Sequence, residues 1–220
     1  MSTLIMGLAP SDAAQADGKW SRFPAASSSE APSTPLPSAP TATQETAFTA
    51  TQETQQYRSS AHPYTFSVPS VWERVKKDGA DVLYEDPSQR STSLGVTVNN
   101  VRVASILDFG TLEAVGEKLL TAEKNKDSTM SIELVSSSSR TNDIGATLYD
   151  YEYEIDSTRG RKRILNTVTI FGSKLFILNA AAKCSKEEDG GCSTLEAAGP
   201  TLLDLRAAAK SFDVSAGPTK

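Results

Sequence analysis

The sequence predicts a mixed α/β domain of the α+β kind. The architecture is an α-β-α sandwich in which a central, mainly antiparallel sheet is covered by helices, behind a long disordered or extended N-terminal arm. Three observations carry this reading. Leu148 to Ala182 alternates apolar and polar residues through three stretches separated by glycine-bearing turns, the signature of neighbouring strands. Thr111 to Lys124, and again Leu202 to Phe212, repeat their apolar residues at helical spacing. Residues 17–56 carry no such period, and from Ser27 onward they are mostly Ser, Thr, Pro, Ala, Gln and Glu.

Composition narrows the function before any motif is read. Hydrophobic residues make up 38% of the 220, slightly low for a globular chain, so something polar dilutes a single core. Twenty-two Lys and Arg stand against 27 Asp and Glu, a net charge of -5 that offers no field to collect a nucleic acid. No apolar run reaches the roughly 18 to 20 residues of a membrane span, so the chain reads as soluble or peripheral.

The order of segments follows. Residues 1–16 read as a residual targeting segment: Leu4 to Ala9 is an apolar patch, and Ala14-Gln15-Ala16 has the small-x-small form of a signal-peptidase site, giving a mature start at Asp17. Met1 to Thr3 lacks the basic residues of a complete signal, and a native start with a coincidental Ala-x-Ala fits the same residues. Residues 17–56 form the arm, whose linker prolines are Pro32, Pro35, Pro37 and Pro40 and which repeats Thr-Ala-Thr-Gln-Glu-Thr at 41–46 and 49–54. Such composition buries too little apolar area to offset chain entropy. Near its start Trp20 and Phe23 flank Arg22, residue types that dominate interface energetics, so the three are candidate partner contacts; incidental aromatics in a disordered stretch account for them equally.

The folded domain is assigned to residues 57–215, with 216–220 as a tail. Tyr64 to Val68 alternates with period two and stops at Pro69, as a half-buried strand does. Val82 to Tyr84 and Leu94 to Val103 are further strands. Between Thr111 and Lys124 a helix is expected, capped by Thr111, with Leu112, Val115, Leu119 and Leu120 as its apolar stripe. Ile132 to Leu134 reads as a strand entering a serine-rich stretch.

Tyr149, Tyr151, Tyr153 and Ile155 then share one face of a strand, and Asp150, Glu152, Glu154 and Asp156 the other. A turn at Arg159-Gly160 would place Ile155 opposite Ile164, Tyr151 opposite Val168 and Tyr149 opposite Ile170. A second turn at Gly172-Ser173 would set Ile170 against Leu175 and Val168 against Ile177. Phe176 and Leu178 face away and need a cover. Ser193-Thr194-Leu195-Glu196 has the form of a capping box, which Thr201 with Asp204 repeats after Gly199-Pro200, and the closing helix from there would supply the cover through Leu202, Leu205, Ala209 and Phe212.

Several residue groups carry possible chemistry. The four carboxylates at 150, 152, 154 and 156 repeat about every 7 Å, too widely for one ion, and read as a solvated face with Asp156 across from Arg163. Arg159, Arg161, Lys162 and Arg163 gather positive charge at a hairpin tip of an acidic protein, a candidate docking point for an acidic partner; protection of an exposed strand end explains the same residues. Cys184 and Cys192, the only cysteines, cannot complete a zinc site and read as a loop-closing disulfide requiring an oxidising compartment, or as two reduced thiols. No phosphate-binding glycine loop, Gly-x-Ser-x-Gly or His-Glu-x-x-His occurs. Asp108-Phe109-Gly110 lacks every other kinase element and reads as a loop. With His62 the sole histidine, at the domain entrance, an enzyme is not expected.

Tyr64-Thr65-Phe66-Ser67-Val68-Pro69-Ser70-Val71-Trp72 resembles the opening signature of the PsbP family, extrinsic lumenal proteins of oxygenic photosynthesis. Tyr84-Glu85-Asp86-Pro87, Asp108-Phe109-Gly110, the Tyr149 to Tyr153 strand, Gly172 to Phe176 and the closing helix at Ser211-Phe212 follow in the same order. The resemblance implies the α-β-α sandwich and peripheral residence on the lumenal face of the chloroplast thylakoid membrane. It implies a non-catalytic subunit of photosystem II that docks near the oxygen-evolving centre, among the photosystem core and other lumenal extrinsic subunits. Such a subunit binds no cofactor or small-molecule substrate directly, and supports Ca²⁺ and Cl⁻ retention at a manganese cluster indirectly. Lys162-Arg163 stands where the family often carries Lys-His, so an imidazole metal ligand is not carried over there. Net acidity also departs from basic docking, which leaves an assembly factor, a photosystem I-associated protein or a free metal-binding lumenal protein as alternatives.

Overall fold

The computed structural model describes residues 52–89, 91–184 and 195–215. Ten strands and three helices follow in the order β1 (Thr54–Arg58), β2 (Tyr64–Pro69), β3 (Glu73–Val75), β4 (Val82–Glu85), β5 (Ser93–Asn100), α1 (Ile106–Phe109), α2 (Leu112–Lys124), β6 (Thr129–Thr141), β7 (Thr147–Ser157), β8 (Gly160–Phe171), β9 (Lys174–Lys183), α3 (Leu195–Ser211) and β10 (Asp213–Val214). Seven strands form one sheet in the order β3-β4-β5-β9-β8-β7-β6, with every neighbour antiparallel. A small second sheet, β1-β2-β10, lies with α3 on one face of it, and α1 and α2 lie on the other. The predicted α-β-α sandwich is the observed architecture.

Side-chain alternation in β7, β8 and β9 divides the core into two layers. Tyr149, Tyr151 and Tyr153 join Val168 and Ile170 under α2, with Ile106 of α1 and Val115 of α2. Phe176, Leu178 and Ala180 face the opposite way, against Leu202, Leu205, Ala209 and Phe212 of the closing segment and Tyr64, Phe66 and Val68 of β2. Thr111 caps α2 by accepting the amide hydrogen of Ala114 at 3.3 Å. Tyr151 Oη donates to the Leu112 carbonyl at 2.7 Å, fixing that helix to the sheet.

Several expectations are corrected. The first hairpin turns at Thr158-Arg159, because Ser157 pairs with Gly160 and its hydroxyl takes the Arg159 amide hydrogen at 3.3 Å. Tyr149 therefore faces Val168, Tyr151 faces Asn166, and Ile155 faces Lys162. The slip is two residues, so every side chain keeps its face. The second hairpin has the expected register. Thr54 to Gln56 belong to β1, paired with Pro69 to Ser67, so the domain reaches into what the sequence assigns to the arm. β5 ends at Asn100 rather than Val103, and β6 extends through the serines to Thr141. Asp108 and Phe109 close the short helix α1, whose cap is Ser105, rather than lying in a loop. Finally, α3 runs unbroken through Gly199-Pro200, so Thr201 begins no new helix, and Asp204 instead accepts the Gln52 amide hydrogen.

Candidate docking site

The carboxylate face of β7 is only partly solvated, with Glu152 buried and Asp150, Glu154 and Asp156 half-buried. α3, packed on β8 and β9, reaches it through Arg206, and Glu152 and Arg163 are only 8% and 2% exposed. Arg206 of α3 donates to both Glu152 oxygens, at 3.0 and 2.5 Å. Arg163 lies 3.4 Å from Glu152 and 3.2 Å from Glu154. Asp150 accepts from Arg140 Nε at 2.9 Å and from Thr167 Oγ1 at 2.6 Å. Asp156 pairs with Arg161 at 3.4 Å instead of Arg163, as the corrected register requires. A polar face buried under a helix has to be paired in this way, since an uncompensated charge there would cost several kcal/mol.

Arg163 thus leaves the predicted basic tip for the interior and offers nothing to a partner. What remains is a different cluster. Lys162 on β8 lies directly across from Lys183 at the end of β9. Arg159 stands in the adjacent turn, and Lys77 of the β3–β4 loop acts on Lys162 from a third side. Burial pushes the Lys162 ammonium below its ordinary value, and the charges of Lys77, Arg159 and Lys183 push the same way. Among the described residues none of these four has a carboxylate within ion-pair distance. The acidic run Glu187 to Asp189 that follows in sequence lies outside them. Lys77 also lines, with Arg74, Lys76, Asp78 and Asp81, a recess of about 550 Å³.

Like charges placed directly opposite on neighbouring strands repel, so this corner is held together against its own electrostatics. It can lower that repulsion by receiving an anionic group. Of the predicted contacts, Arg159, Arg161 and Lys162 are at this corner; Trp20, Arg22 and Phe23 lie outside the described residues. Cys184 is buried just beyond β9, its amide hydrogen given to the Arg161 carbonyl at 3.1 Å, while Cys192 also lies outside the described residues. Lys183 was within reach of sequence reasoning, since the Gly172-Ser173 register carried back along β8 sets it against Lys162. Lys77 carried no such signal, because only the tertiary fold brings its loop there.

Sequence reasoning also set His62 apart, yet the fold gathers Ser59, His62 and Tyr64 around Asp81. Tyr64 Oη and Ser59 Oγ both donate to Asp81 Oδ2, the latter at 3.2 Å, and His62 Nε2 lies 3.7 Å from Oδ1. Ser59 Oγ also accepts the amide hydrogens of Ala61 and His62, which locks it in the turn. A serine hydroxyl bonded to a carboxylate and to its own turn is not activated as a nucleophile, and the group works as a latch between the entrance loop and β4. The same latch holds Tyr64 above its ordinary value, through burial first and Asp81 second.

Comparison with known proteins agrees with the fold. The sequence profile of the PsbP family matches residues 52–190. PsbP domain-containing protein 2, chloroplastic, of Arabidopsis thaliana is 38% identical over 141 residues, 64% of this chain and 60% of that protein. PsbP-like protein 1, chloroplastic, of the same plant is 26% identical over 54% of this chain and 51% of its own length. The chain thus spans little more than half the length of these relatives. The solution structure of cyanobacterial PsbP (CyanoP) from Synechocystis sp. PCC 6803 superposes with a TM-score of 0.56 at 23% identity, covering 79% of this chain and 98% of that one, and shares the fold.

Proposed function

The chain belongs to the PsbP family, and from that membership we propose that it is a non-catalytic extrinsic protein of the chloroplast thylakoid lumen. It sits peripherally on the lumenal face of the membrane and docks on a photosystem through its cationic corner. The observation that carries this reading is the cluster of Lys77, Arg159, Lys162 and Lys183 in a chain of net charge -5, a local field opposite in sign to the molecule's own. Such a patch steers and orients an acidic lumenal surface even where the whole protein is repelled by it. The latched Ser59 and the paired carboxylates of β7 support a non-catalytic role.

On photosystem II the bound domain would stand near the oxygen-evolving centre and support Ca²⁺ and Cl⁻ retention by excluding solvent, without ligating either ion. Arg161 would extend the contact, and Trp20, Arg22 and Phe23 would order on the partner as the arm binds. Cys184 and Cys192 would close their loop as a disulfide in the oxidising lumen.

The acidic net charge and the burial of Arg163 favour a second reading, of a divergent member acting in assembly or at photosystem I. Affinity purification of the tagged protein from solubilised thylakoids, with the two photosystems then separated, decides between them. Recovery of photosystem II cores supports the first reading, and recovery of photosystem I or of incomplete cores supports the second. Recovery of neither rejects docking.

A further inference from the structure

Among the described residues β6 is the outermost strand of the large sheet and pairs only with β7. Its thirteen residues contain neither Lys nor Pro, and Met130, Leu134 and Val135 are exposed at 69%, 44% and 45%. An edge this long is normally blunted by lysine, proline or bulges; β6 is irregular at Thr129–Ser131 and Leu134–Ser136 but carries no lysine or proline, so its outward N–H and C=O groups remain a template for another strand. Beside it, α2 and β6 enclose a groove of about 310 Å³. Leu112, Leu120, Ile132 and Leu134 give the groove an apolar floor, and Glu113 and Glu117, exposed one helical turn apart, form its rim, with Lys124 at the far end of α2. Neither glutamate is ion-paired among the described residues. A free strand edge under a helix, with an apolar floor and an acidic rim, fits an extended segment that alternates aromatic and basic side chains.

The chain contains one such segment. Lys19 and Arg22 are the only cations in its first 57 residues, and they enclose Trp20, with Phe23 next to Arg22. We propose that residues Lys19 to Phe23 of the free protein add to the edge of β6 within the same molecule, Trp20 on the groove floor and Arg22 at the Glu113–Glu117 rim. In an extended segment Trp20 and Arg22 share a side about 7 Å apart, close to one turn of α2. Tethering does not prevent it. The 28 residues between Phe23 and Gln52 could span up to about 90 Å, and covalent linkage gives a local concentration that a weak contact can use. The contact withdraws the arm's aromatics and covers the edge until a partner competes for them. It is a property of the isolated chain, so it stands whether or not the domain docks on a photosystem.

Hydrogen exchange of the full chain, read over the β6 peptides, tests it. Trp20→Ala with Arg22→Ala, both outside the folded domain, should speed β6 exchange at least tenfold, and so should Glu113→Lys with Glu117→Lys at exposed positions. Combining Glu113→Lys and Glu117→Lys with Arg22→Glu should restore part of the protection. Equal β6 exchange in the native chain and the Trp20→Ala, Arg22→Ala variant would overturn the proposal. So would β6 protection that disappears on hundredfold dilution, which would assign the edge to a second copy.

Discussion

Arg206 of α3 and Glu152 of β7 form a two-pronged ion pair, at 3.0 and 2.5 Å, that fastens the closing helix to the strand next to the sheet's β6 edge. Glu152 is also reached by Arg163, which carries Glu154 on its other side. Arg163→Ala should therefore cost about 3 kcal/mol of stability, because it leaves half-buried Glu154 without its ion-pair partner and Glu152 with Arg206 alone. Arg206→Ala should cost less, since its guanidinium is partly in solvent and Glu152 keeps Arg163. Urea unfolding of the two variants checks the order, and a larger loss for Arg206→Ala would contradict it.

Tyr151 and Gly116 set how closely α2 lies on the sheet. A Cβ added at Gly116 would stand 2.8 Å from Tyr151 Cε1, and the ring is anchored by its hydroxyl to Leu112. Alanine gains about 1 kcal/mol of helix propensity over glycine, while overpacking costs about 1–3 kcal/mol. Gly116→Ala should be net destabilising, and Tyr151→Phe, which frees the ring from its anchor, should lessen the effect. Thermal unfolding of the single and double variants reads this directly.

Lys162 should cost the fold stability at neutral pH. Its folded-state value lies below the ordinary 10.5, so the folded protein disfavours the charged form. At neutral pH both folded and unfolded chains carry the charge and the cost is fully present. As pH rises through the lowered value toward 10.5 the unfolded chain holds more protons, and the cost is relieved. Lys162→Met should accordingly be the more stable protein at pH 7, on the order of 0.5 kcal/mol for removing a like-charge cross-strand neighbour. That advantage should shrink as the pH nears 10.5. Denaturation of both proteins across that range measures it, and a Lys162→Met protein less stable at pH 7 would show that the corner is not repulsive.

How far the molecule could be read in advance depended on the range of the interaction. Alternation through Tyr149, Tyr151 and Tyr153, and the helical stripe through Leu202, Leu205 and Phe212, are local patterns, and both layers of the core followed from them. The register of the first hairpin slipped because Arg159-Gly160 and Thr158-Arg159 are both plausible turns, and only the Ser157 hydroxyl distinguishes them. Glu152 was misread as solvated for a different reason. An alternating strand reports two faces but not whether the polar one will be covered, and its cover, Arg206, comes 54 residues later. The cationic corner was half legible for the same reason: Lys162 and Lys183 share a register, whereas Lys77 arrives through a loop of another hairpin.

If Cys184 and Cys192 are joined, the bridge closes a short loop and should contribute about 2–3 kcal/mol by restricting the unfolded chain. Alkylation under denaturing conditions should label neither cysteine before reduction and both after it, and reduction should lower the unfolding temperature. Two labelled thiols in unreduced protein isolated from thylakoids would refute the bridge.

The most direct test of docking is the affinity of the Arg159→Glu, Lys183→Glu protein for photosystem-containing thylakoid membranes, compared with the native protein at low and high salt. Arg159 and Lys183 are exposed, so the fold should tolerate both changes. The account predicts native binding that weakens steeply as salt screens the corner, and at least tenfold weaker binding of the variant at low salt. Equal binding of the two proteins, insensitive to salt, would contradict it.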